Sequence, residues 1–179
     1  MRRKDIKNTI KEYFFVNPTV KLRVREIERE LNLPIPSVIK HTKDLVNEKI
    51  LKITTIGKVT LFSADRSSKE YLLQKKLFNI KKIYDSELIK YLITNYSNPT
   101  IILFGSYSNG EDIENSDIDL YIETANKQKF NMKKYEKNLE RKIQIFNFKN
   151  IKQIKNKFLA NNIINGITLN NFIEVFKWN

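Results

Sequence analysis

The segment 104–120 constrains this chain more than any other part of its sequence. An apolar run over residues 100–104 is followed by Gly105 and Ser106. A second apolar run begins after a turn. The first run predicts a buried strand, and Gly105 lets the backbone turn sharply and lets a ligand approach it closely. Ser106 is predicted to cap a short helix whose free N–H groups attract phosphate.

Two aspartates open the second apolar run. Asp117 and Asp119 alternate with apolar residues over 116–122, which predicts a strand. Side chains alternate between the faces of a strand, so the two aspartates share one face with backbones roughly 6.6 Å apart. Carboxylates at that separation can converge on one Mg²⁺, which prefers oxygen ligands. The segment therefore predicts a combined phosphate and magnesium site.

Other common sites are excluded by composition. The chain has no cysteine and one histidine, so disulfides, cysteine-ligated zinc and a histidine metal centre are not expected. It lacks the phosphate-loop motif and the Gly-x-Gly-x-x-Gly motif. It also lacks an apolar run of membrane-spanning length and a signal-peptide pattern. We therefore expect a cytoplasmic protein with no membrane partner.

The order strand, Gly-Ser, helix, strand, Asp-x-Asp resembles the nucleotidyltransferase superfamily that includes DNA polymerase beta. It is most similar to the small prokaryotic branch, the minimal nucleotidyltransferases common in archaea. The resemblance implies a small mixed sheet flanked by helices. It also implies that Gly105 and Ser106 bind the phosphates of a nucleoside triphosphate, and that Asp117 and Asp119 are catalytic residues that ligate Mg²⁺.

The chain departs from this family at one position. Active members usually have a third carboxylate one strand later, but here that strand, 142–148, has Gln144 at the expected place. Sliding the alignment by two residues brings no carboxylate to the site. Glu123 lies roughly 13 Å too far along its own strand, while Glu140, just before the third strand, stays open as a substitute. Glutamine can offer an oxygen to a metal but cannot accept a proton. The site therefore lacks the group that, in this family, helps to deprotonate the acceptor hydroxyl.

Positive charge is concentrated in the first half of the chain. Residues 1–84 contain 20 Lys and Arg against 9 Asp and Glu, a net charge of +11. Residues 85–179 contain 13 against 11, a net charge of +2. A lysine-rich genome would spread the excess evenly, so the asymmetry favours a nucleic-acid-binding module in the first half.

Helical and strand periodicities also organise the first half. Helices are predicted over 4–14, 24–31 and 35–49, followed by strands over 50–55 and 59–62 that form a hairpin. This order is similar to a winged helix-turn-helix domain, in which the third helix enters the major groove and the hairpin contacts the backbone. Such domains also serve in protein docking or dimerisation, so this alternative stays open.

The resemblance to winged helices implies the DNA-contacting residues. They are expected on the outer face of the third helix and at the hairpin tip: Ser37, Lys40, His41, Lys43 and Lys58. Cationic side chains on that face suit contacts with phosphate.

The predicted architecture is α+β with two modules. A winged helix-turn-helix domain spans 1–64, a linker helix 65–84 and a nucleotidyltransferase domain 85–179. The resulting hypothesis is a magnesium-dependent protein that binds nucleoside triphosphate and DNA and, if active, transfers a nucleoside monophosphate to a hydroxyl. The alternatives are a non-catalytic, nucleotide-sensing transcriptional regulator and an antitoxin-like partner protein, with a homodimer or a helical partner protein as the expected assemblies.

Overall fold

The computed structural model describes residues 5–126, 128 and 130–174 and has the predicted α+β composition. Its contacts divide the chain into two compact units, Met1–Phe78 and Asn79–Asn179. The predicted linker segment 65–84 is largely one helix, α4 (Lys69–Asp85), whose residues are shared between the two units. No helix in the described ranges is long and apolar enough to cross a membrane.

The first unit contains the three predicted helices and the predicted hairpin. Its elements are α1 (Ile6–Val16), β1 (Lys21–Leu22), α2 (Val24–Leu31), α3 (Ile35–Asn47), β2 (Leu51–Ile56) and β3 (Val59–Ala64). Helix α3 ends two residues earlier than predicted because Lys49 adopts φ 58°. The short strand β1 was not predicted. It pairs with β3 to give an antiparallel sheet of order β1-β3-β2.

The core of the first unit explains why its helices form where they do. Ile10 and Phe14 of α1, Ile27 of α2 and Val38 of α3 are fully buried in one cluster. Ile10 and Phe14 are four residues apart, so α1 buries one apolar face, and α2 and α3 pack against it through Ile27 and Val38. Tyr71 of α4 completes this cluster.

The second unit is a mixed sheet with helices on both faces. Its elements after α4 are α5 (Leu88–Asn95), β4 (Thr100–Phe104), α6 (Gly105–Asn109), β5 (Ile118–Glu123), α7 (Lys133–Leu139), β6 (Ile143–Phe148), a 3₁₀ helix (Ile151–Gln153), α8 (Lys157–Ile164) and β7 (Ile167–Asn170). The sheet order is β6-β5-β4-β7, with β5 and β6 parallel and the other pairs antiparallel. The small mixed sheet that the resemblance implied is therefore present.

Both faces of this sheet are covered, which accounts for the continuous apolar run in β4. Leu103, Leu120 and Ile122 point into a core formed with α5 and α7. Phe104 and Tyr121 lie on the opposite face, against residues of the 3₁₀ helix and α8. Strands buried on both faces lose the polar–apolar alternation of a half-exposed strand.

Strand β7 was not predicted, and it closes the free edge of β4. It pairs antiparallel with β4, with Ile167 opposite Leu103. Gly166 permits this approach, because a Cβ at that position would lie 2.6 Å from both Ile102 Cγ2 and the Leu103 carbonyl oxygen. The pairing buries an edge that would otherwise expose unpaired backbone groups.

Candidate functional site

Strand register brings the predicted site residues to one end of the second unit's sheet. Phe104 is opposite Asp119 in the β4–β5 pair, and Asp119 is beside Gln144 in the β5–β6 pair. Gly105 follows Phe104 directly and begins α6. Neighbouring residues in register project to the same face of a sheet, so Asp119 and Gln144 share one face at the position where β4 turns into α6.

Gly105 and Asp119 are in close contact. Gly105 has φ +74°, and a Cβ added to it would collide with Asp119 Oδ2 and lie 3.3 Å from Asp119 Cγ. Glycine is needed here twice over, since the left-handed backbone disfavours a side chain and the carboxylate occupies its space. The structure therefore brings together the two halves of the sequence motif, which are 14 positions apart.

Ser106 does not cap the helix, contrary to the sequence prediction. The N-cap of α6 is Phe104, and no side chain makes a cap hydrogen bond there. Ser106 lies inside α6, half-buried, and its carbonyl oxygen accepts from the backbone N–H of Glu111 at 3.0 Å. Because α6 starts two residues earlier than a Ser106 cap requires, the Ser106 hydroxyl does not bond to the helix end.

Asp117 and Asp119 are both half-buried, with Asp117 just before β5 rather than inside it. The predicted strand began too early by two residues. Burial raises the pKa of Asp119, and the negative charge of Asp117 raises it further. Two carboxylates that repel each other in a partly desolvated place fit a cation between them. One or two carboxylates, completed by substrate phosphates and water, are a usual protein site for Mg²⁺.

Among the residues that the structure describes, no third carboxylate joins this pair. Gln144 occupies the register position next to Asp119, as expected from the sequence, and its side chain is exposed. Glu123 is engaged elsewhere, because Glu123 Oε2 accepts from the Tyr121 hydroxyl at 2.6 Å and from the Ile151 N–H at 3.0 Å. In the described part of the chain, no group of three or more His, Cys, Asp or Glu side chains could hold a metal.

An open cleft of about 710 Å³ begins at Asp117. Glu140, the proposed substitute for the third carboxylate, lies in its wall and is 3.7 Å from Lys82 Nζ. The cleft has both acidic and basic side chains in its wall, which is formed by Glu114, Asn115, Ser116, Asp117, Glu136, Lys137, Glu140, Arg141 and Lys142. The cleft provides space for a polar group next to Asp117.

Sequence reasoning missed two charged residues that are buried beside the site. Asp112 is 1% exposed and Arg141 is 9% exposed. Asp112 lies inside the motif segment, and charged residues are rarely fully buried unless they are paired. Nothing local in the sequence distinguishes it from its neighbours Glu111 and Glu114, because its burial depends on α4 and on the start of β6.

The candidate DNA-binding residues of the first unit are less uniform than predicted. Lys40 and Lys43 of α3 and Lys58 at the hairpin turn are exposed. Ser37 is half-buried, and so is His41, whose Nδ1 lies 3.2 Å from Asp44 Oδ2. His41, which was expected to contact DNA, therefore has a carboxylate of its own helix as a neighbour.

Comparison with known proteins bears on the second unit. Residues 86–171 match the family model for the nucleotidyltransferase domain of polymerase beta. The match covers slightly less than half of the chain and includes the whole Gly-Ser and Asp-x-Asp segment. It supports a nucleotidyltransferase-like function, with a nucleoside triphosphate as the implied substrate. Comparisons with curated proteins and with solved structures gave no match.

Proposed function

We propose that this protein binds magnesium and a nucleoside triphosphate at Gly105, Ser106, Asp117 and Asp119, as a nucleotidyltransferase-like protein with a DNA-binding module. The observation that carries the proposal is the contact between the Asp119 carboxylate and the backbone of Gly105. A backbone N–H donor and a pair of carboxylates at one sheet end suit a triphosphate and its metal ion.

The roles of the residues follow from their chemistry. The backbone N–H of Gly105 and the hydroxyl of Ser106 would donate to phosphate oxygens, while Asp117 and Asp119 would hold Mg²⁺. When bound, magnesium would offset negative charge on the phosphates in the transition state. In the transfer, an acceptor hydroxyl oxygen bonds to the α-phosphorus, the bond to the leaving pyrophosphate breaks, and the hydroxyl proton must pass to a base.

The identity of that base separates two versions of the proposal. Gln144 cannot accept a proton, and general-base catalysis contributes roughly 10²- to 10⁴-fold in rate. We therefore expect binding with slow transfer or none. The second candidate function, a nucleotide-sensing transcriptional regulator that does not catalyse, is favoured by the same glutamine. An antitoxin-like role with a helical partner protein, and a homodimer, rest on the family resemblance alone.

The DNA-binding part of the proposal concerns the first unit. We read α1, α2, α3 and the β2–β3 hairpin as a winged helix-turn-helix domain. The support is their order along the chain, the exposed Lys40 and Lys43 on α3, the exposed Lys58 at the hairpin tip, and the net charge of +11 over residues 1–84. Exposed cations on a helix and an adjacent turn can contact phosphates on both sides of a groove.

Calorimetry with ATP, GTP, CTP and UTP, with and without MgCl₂, tests the nucleotide site. We expect one or more nucleotides to bind only with magnesium, and Asp119→Asn to abolish that binding. The matched control is Asp85→Asn, because Asp85 is an exposed aspartate of the same unit that pairs with Lys81. Equal binding by wild type and Asp119→Asn would move the site elsewhere.

A transfer assay tests catalysis separately. Purified protein is incubated with α-labelled nucleotides and MgCl₂, and with itself, DNA or RNA as the acceptor. Label that becomes attached to an acceptor while pyrophosphate is released supports the enzyme. Magnesium-dependent binding with no transfer to any acceptor supports the sensor.

A further inference from the structure

One buried amide joins the two halves of the motif. Asn79 of α4 is 1% exposed, and its Nδ2 donates to the Tyr107 carbonyl oxygen at 2.9 Å and to Asp112 Oδ1 at 2.7 Å. Tyr107 belongs to α6, the helix that begins with Gly105, while Asp112 belongs to the loop that leads to Asp117. The Asn79 side chain therefore connects α6 to the loop that leads to Asp117.

Arg141 extends this contact to the third strand. Its Nη2 lies 3.7 Å from Asp112 Oδ2, and its Nη1 donates to the Glu140 carbonyl oxygen at 2.9 Å. Arg141 lies two residues before β6, the strand that carries Gln144. Asp112 thus faces an amide from α4 through one oxygen and a guanidinium from the β6 side through the other.

The loop between α6 and β5 is also closed by its own hydrogen bonds. The Ile113 N–H donates to Ser116 Oγ at 2.9 Å, and the Ser116 N–H donates to the Ile113 carbonyl oxygen at 3.0 Å. The Ile118 N–H donates to the Lys142 carbonyl oxygen at 2.8 Å. The first two bonds make the loop a compact turn, the third joins its end to the segment before β6, and Asp112 is a buried point at which the loop contacts α4.

We infer that Asp112 is a positioning residue that, through Asn79 and Arg141, holds Asp117 beside Asp119 before any metal binds. The inference rests on the proposed function, because the magnesium site is what the loop positions. Buried hydrogen bonds of the kind that Asn79 makes restrict the movement of the segments that they join. Residues that orient metal ligands from behind typically change metal affinity by about 10- to 100-fold when they are altered.

Manganese binding, followed by electron paramagnetic resonance with MnCl₂ as the probe, tests this role. Asp112→Asn keeps the size of the side chain and an acceptor for Asn79 but removes the charge that faces Arg141. We expect it to weaken Mn²⁺ binding by about 10-fold, measured well below the unfolding temperature. The control is Thr100→Val, which removes the hydrogen bond from Thr100 Oγ1 to the Phe172 carbonyl oxygen at the far end of β4. Loss of this part-buried hydrogen bond, which lies away from the aspartates, should leave the Mn²⁺ affinity close to that of the wild type.

A folded Asp112→Asn variant with wild-type Mn²⁺ affinity would overturn the positioning role and leave the proposed function intact. Absence of Mn²⁺ binding by the wild type, both alone and with a nucleoside triphosphate, would overturn both. If Asp112→Asn does not fold, hydrogen exchange of the wild type decides. Slow exchange at the Ile113 and Ser116 amides in metal-free protein supports the role. Exchange as fast as at the exposed Gly57 turn, slowing only when MnCl₂ is added, would contradict it.

Discussion

The candidate DNA-binding residues of the first unit and the candidate nucleotide-binding residues of the second unit differ in how strongly their surroundings fix them. Lys40, Lys43 and Lys58 of the first unit are exposed on a helix face and a turn. In the second unit, Gly105 and Asp119 touch each other, and buried side chains stand behind the loop that carries Asp117. Separate exposed cations contribute to binding free energy additively and by small amounts. The effects of substituting residues that contact each other are not additive. Single substitutions should therefore act steeply in the second unit and gradually in the first.

The largest effect is expected at Gln144 of the second unit, which stands where active members of the resembled family have a carboxylate. Gln144→Asp restores an acidic side chain beside Asp119 on the same face of the sheet. If an acceptor is present, the transfer rate should rise by roughly 10²- to 10⁴-fold; without one, Mg²⁺ affinity should tighten. Label transfer and calorimetry measure the two outcomes, and the variant combined with Asp119→Asn is the inactive control.

The opposite result would redefine the site. Rapid wild-type transfer that is abolished by Asp119→Asn and indifferent to Gln144→Asp would mean that Gln144 is not where a base is missing. Glu140 would then be the residue to test, because it lies with Asp117 in the wall of the cleft. Loss of that transfer in Glu140→Gln would identify it as the third carboxylate.

The next effect is expected at Gly105, and the chain offers a matched control for it. Gly105→Ala should cost roughly 1–2 kcal/mol for the left-handed backbone and should also displace the Asp119 carboxylate, so that magnesium-dependent nucleotide binding is lost. Gly57 also has a positive φ, but no atom lies within 4 Å of a Cβ built there. Gly57→Ala should therefore show the backbone cost alone by thermal melting, with nucleotide binding unchanged. If both variants change nucleotide binding equally, the contact between Gly105 and Asp119 has no role in that binding.

A smaller effect is expected from pH. The folded state raises the pKa of Asp119 through burial and the charge of Asp117, so the ionised carboxylate destabilises the metal-free protein. That cost is present above the folded pKa and disappears as pH falls below the unfolded value. Asp119→Asn should thus melt at a higher temperature than the wild type at neutral pH, and this advantage should vanish in acid. Saturating Mg²⁺ should reverse the order at neutral pH, and an advantage of Asp119→Asn that does not change with pH would contradict the assignment.

The smallest single effects are expected in the first unit. Each lysine that contacts a DNA phosphate adds about 0.9 to the slope of log affinity against log salt. Lys40→Ala and Lys43→Ala should each weaken DNA binding modestly, and together they should reduce the slope by about 1.8. Fluorescence anisotropy with labelled duplex DNA at several salt concentrations measures this. Lys69→Ala, a lysine at the start of α4, is the charge-matched control. An unchanged slope in the double variant would exclude α3 as the DNA-contacting helix.

Much of the second unit's site could be predicted because its signals are local. The apolar run before Gly105, the Gly-Ser pair and the spacing of Asp117 and Asp119 lie within one short segment. Gln144 was also expected beside Asp119, because the family resemblance implies a third carboxylate at that position, and the β5–β6 register agrees. Ser106 was predicted wrongly, because a capping role depends on the residue at which the helix starts.

The sequence by itself determined the helices of the first unit, the motif strands and the types of residue available for binding. Tertiary structure alone decided that β1 and β7 are strands, because each is short and is defined by its pairing with a distant partner. It also decided that Asp112 and Arg141 are buried. Their environment is formed by α4, the α6–β5 loop and the start of β6, which are dozens of residues apart in the chain. A local sequence pattern cannot indicate that such distant segments come into contact.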